Sequence, residues 1–180
     1  MLAAMDVLSR LHAVDTRLFA RIFRQGERKA IVPIARSLSR SGDGYLYVII
    51  PLLLCAIDAE GASHLVLLLA LSFTVERALY LMLKGTLKRR RPANAIPGFS
   101  SVIIASDKFS FPSGHASAAF LFATCIYGIF GAPALVAYSW ACTIAVSRVL
   151  LGVHFPGDIV AGAIMGSSIG LLGITLLGGT

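Results

Sequence analysis

The sequence predicts an all-α fold: a multi-pass transmembrane helical bundle of about five spans, or six, preceded by an amphipathic helix lying in the membrane interface. Three observations lead there. Hydrophobic residues make up 57% of the chain and charged residues 14%, with a mean hydropathy of +0.81, outside the balance of a soluble domain. At roughly 20 residues per crossing, 180 residues supply one bundle and leave no room for a second domain. The charges are also gathered into a few places between long apolar runs.

Residues 6–23 carry Val7, Leu8, Leu11, Val14, Leu18, Ile22 and Phe23 at helical spacing against a face of arginines, the pattern of an interfacial helix. Arg10, Arg17, Arg21 and Arg24 interrupt any apolar core that a cleavable signal would need. A short basic helix over 29–39 follows, and Ser41-Gly42-Asp43-Gly44 breaks the chain. Residues 1–43 therefore read as an interfacial segment and 44–180 as the transmembrane domain.

Within that domain, 45–57 is an uncharged run, short for a crossing and containing Pro51. The acidic turn 58–61 leads to a second span over 62–83, with Glu76 and Arg77 inside it, where charge calls for a reason. Residues 84–112 form the only long polar connection, with an apolar patch at 99–105. About 30 uncharged residues then split at Gly128, Gly131 and Pro133 into a third and a fourth span. The last span, 158–177, has Gly162, Ala163, Gly166, Ser167 and Gly170 at spacings of three and four, as close helix packing in lipid requires.

The net charge of +7 raises nucleic acid as a partner, but so apolar a chain has little aqueous surface for a groove-tracking patch. Anionic headgroups or phosphate fit better, and no nucleic-acid partner is expected. Cys55, Cys125 and Cys142 sit in apolar runs without metal or redox spacing, and read as packing residues.

Tracing the spans brings the end of the second, the start of the third and the connection from fourth to fifth to one side of the membrane. The unusual polar residues sit at those three places: Lys84 and Arg91-Pro92; Pro112-Ser113-Gly114-His115; and Ser147-Arg148 with His154 and Asp158. Alone, each cluster has a structural reading: a juxtamembrane basic run, a helix N-cap, an interfacial ion pair. Together they resemble, in order and without substitution, the three motifs of the type 2 phosphatidic acid phosphatase (PAP2) superfamily.

That resemblance implies a metal-independent phosphatase on a helical bundle, with no cofactor, acting on a membrane lipid phosphate or diphosphate. By family role, His154 is the nucleophile, His115 the acid that protonates the leaving oxygen, and Asp158 the partner of the His154 imidazole. Lys84, Arg91 and Arg148, with Ser113 and the Gly114 amide at a helix N-terminus, would cradle the phosphate. Glu76 falls outside the motifs but shares a helical face with Tyr80 and Lys84. It either orients Lys84 or Arg91, or pairs structurally with Arg77 or a neighbouring helix.

Two other classes remain: a non-catalytic lipid-binding or transport protein, against which the two histidines and carboxylate argue, and a vanadate-dependent haloperoxidase-like enzyme, whose known members are soluble. Phosphatidic acid, phosphatidylglycerophosphate and polyprenyl phosphates or diphosphates all fit, with selectivity expected from residues 92–111, where Phe99, Val102, Ile103, Ile104 and Phe109 would dip into lipid. The cell's inner, cytoplasmic membrane is the expected location. Lys and Arg gather on the active-site face, which favours a cytoplasmic site, whereas the resemblance to bacterial relatives implies an extracytoplasmic one.

Overall fold

The computed structural model describes residues 2–26 and 29–177, with side chains from residue 10 onward. Its helices are α1 (Leu2–Gly26), α2 (Ile31–Ser41), α3 (Tyr45–Ala56), α4 (Ala62–Leu87), the single turn α5 (Pro92–Ala95), α6 (Gly114–Phe130), α7 (Val136–Leu150, entered through a 3-10 turn at Ala132–Leu135) and α8 (Pro156–Leu177). The all-α expectation holds, and no β-strand forms among the described residues beyond an isolated bridge between Arg90 and Phe109.

Three helical stretches, Ala62–Leu87, Ala132–Leu150 and Pro156–Leu177, are long and apolar enough to cross a membrane, and α3 and α6 are shorter apolar helices. The 12 residues of α3 reach about 18 Å at 1.5 Å per residue, well short of a hydrocarbon core of about 30 Å. These five apolar elements correspond to the five expected spans.

The core joins them through Tyr47 of α3, Leu65 and Leu68 of α4, Leu121 and Phe122 of α6, Ile144 of α7 and Ile169 of α8, all buried. The most extensive packing is between α6 and α8, and small residues create it. Gly162, Gly166 and Gly170 are buried at intervals of four and lie against the Ser113 carbonyl, the Ser117 carbonyl and the Thr124 side chain of α6. A Cβ on Gly166 would collide with backbone, so only glycine permits this approach.

The apolar face expected of α1 divides in two. Ile22 and Phe23 pack inward beside the buried Phe19, which lies outside that expected face and whose ring stacks with Phe23, edge-on to Phe99 and Phe155, while Leu11, Val14 and Leu18 are exposed. Val7 and Leu8 lie outside the described side chains. Phe99 therefore does not dip into lipid: its ring meets Phe19 and Phe23, because α1 offers it an aromatic partner. Val102 is also tied inward, its amide donating to the Leu151 carbonyl and its carbonyl accepting from Arg36. Ile104 alone of that group is almost fully exposed.

Replacing Gly166 with Leu should force α6 and α8 apart and cost about 3 kcal/mol, at the upper end for overpacking. Thermal denaturation in detergent reads this, and Ser168→Leu, at an exposed position of α8, should change little.

Candidate active site

Elements far apart in sequence place each polar group. Lys84 lies in the last turn of α4. Beyond it Lys88 adopts a left-handed conformation that ends the helix, and Arg91, extended before Pro92 as the proline ring demands, turns its buried guanidinium inward. Its Nη1 donates to the Val153 carbonyl at 2.6 Å, its Nε to the Asp107 carbonyl at 3.0 Å and its Nη2 to the Asp107 carboxylate at 2.6 Å.

Ser113 caps α6, its hydroxyl accepting from the Ala116 amide, and its own amide donates to the Asp158 carbonyl at 3.1 Å. Gly114 is needed because a Cβ would meet the Tyr80 ring at 2.9 Å. One residue on, His115 Nε2 lies 2.8 Å from the Asp43 carboxylate. Asp43 reaches it from the turn between α2 and α3, where Gly44 at φ 108 takes a conformation disfavoured for L side chains.

From the third segment, Arg148 Nη1 donates to the Ser39 hydroxyl at 2.5 Å. His154 is buried, with Nε2 3.3 Å from Arg91 Nη1 and Nδ1 3.6 Å from Asp158 Oδ2, an ion-pair separation longer than a hydrogen bond. A guanidinium can only donate. The Arg91 contact thus favours the tautomer whose Nε2 carries a lone pair and whose Nδ1–H faces Asp158. Burial, helped by the Arg91 and Arg148 charges, lowers the His154 pKa to about 4 against the pull of Asp158, so the imidazole is neutral near pH 7.

Asp158 is fully buried and saturated: Oδ1 accepts from Arg89 Nη1 at 2.6 Å, and Oδ2 from the Phe155 amide at 2.8 Å and from the Ser110 hydroxyl. Arg89 also pairs with Asp15 of α1 at 2.6 Å, and Asp15 accepts the Gly157 amide at 2.7 Å.

Arg91, Arg148, Gly114, His115 and His154 line one open cavity of about 720 Å³, together with Asp43, Tyr80 and Asp107. Lys84 stands behind that wall, its ammonium 2.5 Å from the Tyr80 hydroxyl and 2.7 Å from Asp107. Ser113 is likewise buried behind it. Glu76 does share a buried face with Tyr80 and Lys84, but neither carboxylate oxygen has a hydrogen-bond partner. The carboxylate that holds Lys84 and Arg91 is Asp107.

Sequence reasoning missed Asp15, Asp43, Arg89, Asp107 and Ser110. Asp43 read as a turn residue and Asp107 as part of a polar connection, and their partners lie 72 and 16 to 23 positions away. The available signal was scarcity: nine acidic residues among sixteen basic ones in an apolar chain are each a candidate ion-pair partner.

In an apolar α-helical bundle, two imidazoles and two arginines around one cavity are groups suited to phosphoryl transfer. The chain belongs to the PAP2 superfamily, whose sequence profile matches residues 65–178. It is 29% identical to the decaprenylphosphoryl-5-phosphoribose phosphatase of Mycobacterium tuberculosis over 153 residues, covering 85% of this chain and 84% of that protein. The crystal structure of Aquifex aeolicus LpxE superposes with a TM-score of 0.74 at 26% identity, over 89% of this chain and 94% of the other. That of a transmembrane PAP2-type phosphatidylglycerolphosphate phosphatase from Bacillus subtilis shares the fold, with a TM-score of 0.73 at 21% identity over 93% and 86%.

Burial raises the pKa of Asp107, but hydrogen bonds and charge from Lys84 and Arg91 outweigh it and hold the carboxylate at about 2, below the ordinary 3.8. Its pairing therefore stabilises the fold fully above about pH 5, and that contribution is lost as pH falls through about 2. Asp107→Asn should cost about 1 kcal/mol at neutral pH once solvent screening is allowed for. Denaturation of the two proteins followed from pH 7 downwards should show the gap closing below about pH 4.

Proposed function

We propose that the protein removes phosphate from a membrane lipid phosphate or diphosphate, of the phosphatidic acid, phosphatidylglycerophosphate or polyprenyl phosphate class, through a phosphohistidine intermediate. The observation that carries this reading is His154: a buried neutral imidazole with its Nε2 lone pair beside the Arg91 guanidinium and Asp158 behind Nδ1. Binding alone has little use for such an arrangement.

In the first step His154 Nε2 attacks phosphorus and the bond to the lipid oxygen breaks. Protonated His115 gives its proton to that oxygen, so the product leaves as an alcohol, or as a lipid monophosphate from a diphosphate. Asp43, 2.8 Å from His115 Nε2, pairs with the imidazole that carries this proton. Arg91 and Arg148 neutralise the equatorial oxygens, and the N-terminus of α6 adds the Gly114 amide. Lys84 joins them when the phosphate competes with Asp107 for its ammonium. In the second step neutral His115 takes a proton from water, the hydroxide attacks phosphorus, the N–P bond breaks, and inorganic phosphate leaves with His154 restored.

On this reading residues 1–43 form an interfacial segment and 44–180 the catalytic domain, in the cell's inner membrane. The test is phosphate release by the purified full-length protein from a panel of lipid phosphates with EDTA present. Activity should persist in chelator and fall at least about 1,000-fold in His154→Ala, comparable to losing a catalytic nucleophile. Activity that needs added metal, or survives without His154, would overturn the mechanism.

His115→Ala should be severely impaired on alkyl phosphates and less so on substrates with acidic leaving groups such as aryl phosphates, which need less proton donation. Equal losses across leaving groups, read as kcat, would remove His115 from the role of acid.

A further inference from the structure

Arg77 lies inside the span formed by α4, seven residues before Lys84 and about 10 Å from it along the helix axis. It is exposed, and among the described residues no hydrogen bond or ion pair holds its guanidinium, which lies over the face of Tyr80, 4.9 Å from the ring centroid. Lys84 sits 4.4 Å from the same centroid. A single aromatic ring is thus shared by Lys84 and by a second cation about two turns earlier on α4.

Arg77 also lines the cavity that holds Arg91, His115 and His154, and borders a shallow depression on the outer face of α4 with Thr74, Ala78 and Leu81. The same cavity shares Tyr47, Val48 and Phe73 with an adjacent apolar groove between α3 and α4 that is also lined by Pro51, Leu52 and Leu69. Moving from the histidines towards the bilayer, a ligand would meet cations, then Tyr80 and Arg77, then hydrocarbon. Charge within a span is costly and marks substrate paths, and a guanidinium is suited to phosphate recognition.

We propose that Arg77 binds a second phosphate of the substrate: a phosphodiester next to the lipid tails, joined through a short polyol or sugar spacer to the terminal phosphate that is cleaved. This rests on the phosphatase reading above and narrows its substrate class to lipids with two separated anionic groups. Arg77 is a specificity-determining residue, outside the bond-breaking chemistry. A phosphate–glycerol–phosphate headgroup spans the two cation sites in a way that a single phosphate on a diacylglycerol cannot.

The test compares phosphatidylglycerophosphate, which has both groups, with phosphatidic acid, which has one, matched in acyl chains, using full-length wild type, Arg77→Gln and Arg77→Lys in detergent micelles. For phosphatidylglycerophosphate, Arg77→Gln should lower kcat/KM about 10- to 100-fold, mainly through KM, as loss of one charge-assisted contact implies. For phosphatidic acid the change should stay within about twofold, and Arg77→Lys should restore part of the selectivity by keeping the charge. Equal losses on both lipids would mark Arg77 as structural, and no loss on either as a bystander; each overturns the proposal. Binding of the two lipids to His154→Ala and to the His154→Ala, Arg77→Gln double variant repeats the comparison without turnover. If wild type releases phosphate from neither lipid, the phosphatase reading fails while the binding preference still decides the role of Arg77.

Discussion

The carboxylate of Asp158 is the point on which the structure turns. It is fully buried, and an uncompensated charge in such a place would cost several kcal/mol. Its compensation comes from three stretches of chain, Arg89 after α4, Ser110 before α6 and the Phe155 amide before α8, and Arg89 in turn ties in Asp15 of α1. The carbonyl of the same residue takes the Ser113 amide. Satisfying this one acid therefore fixes the ends of three apolar helices and anchors the N-terminal one. His154 falls one helical turn from it because the fold already needs that turn there.

The same economy governs the rest of the face. With net charge +7 in a chain this apolar, like charges would repel across short distances in a low dielectric. Asp107 stands between Lys84 and Arg91, Asp43 beside His115 and Asp15 beside Arg89. Asp107 has a particular position among these, since its two oxygens take the donors that a phosphate dianion would claim. On the proposed function, phosphate binding would exchange one anion for another rather than fill bare positive charge, and Asp107 holds the two cations in place without ligand.

The bundle was legible in the sequence because its causes are local: apolar runs of crossing length, breaks at glycine and proline, and small residues at intervals of four. The three motif clusters were legible because their residue types and spacing are unusual for a membrane chain. What the sequence concealed was the set of acids that complete the face. Asp15, Asp43 and Asp107 occupy an arginine-bearing helix, a glycine turn and a polar loop, places where an aspartate needs no special reason, and only the fold brings them to their bases. Glu76 is the converse case. Its placement in a span made it conspicuous, and helical periodicity put it on the face of Lys84 correctly, yet eight residues along a helix is about two turns, and a loop residue, Asp107, reached the ammonium instead. Phe99 went inward for a similar reason: a distant element, α1, offers its ring two aromatic partners, Phe19 and Phe23.

The glycine stripe of α8 has a mechanical meaning. Because Gly162 and Gly166 rest on the Ser113 and Ser117 carbonyls of α6, the two helices touch backbone to backbone, with no rotamers between them to relax. The end of that contact holds Ser113 and His115 on one side and Asp158 on the other. Their separation is set by a stiff ruler of peptide groups rather than by side chains that could repack. Chemistry and solvent are thereby decoupled: lipid can deform around the outside of the bundle while the backbone contact keeps the start of α6, with Ser113 and His115, in register with the start of α8, with Asp158.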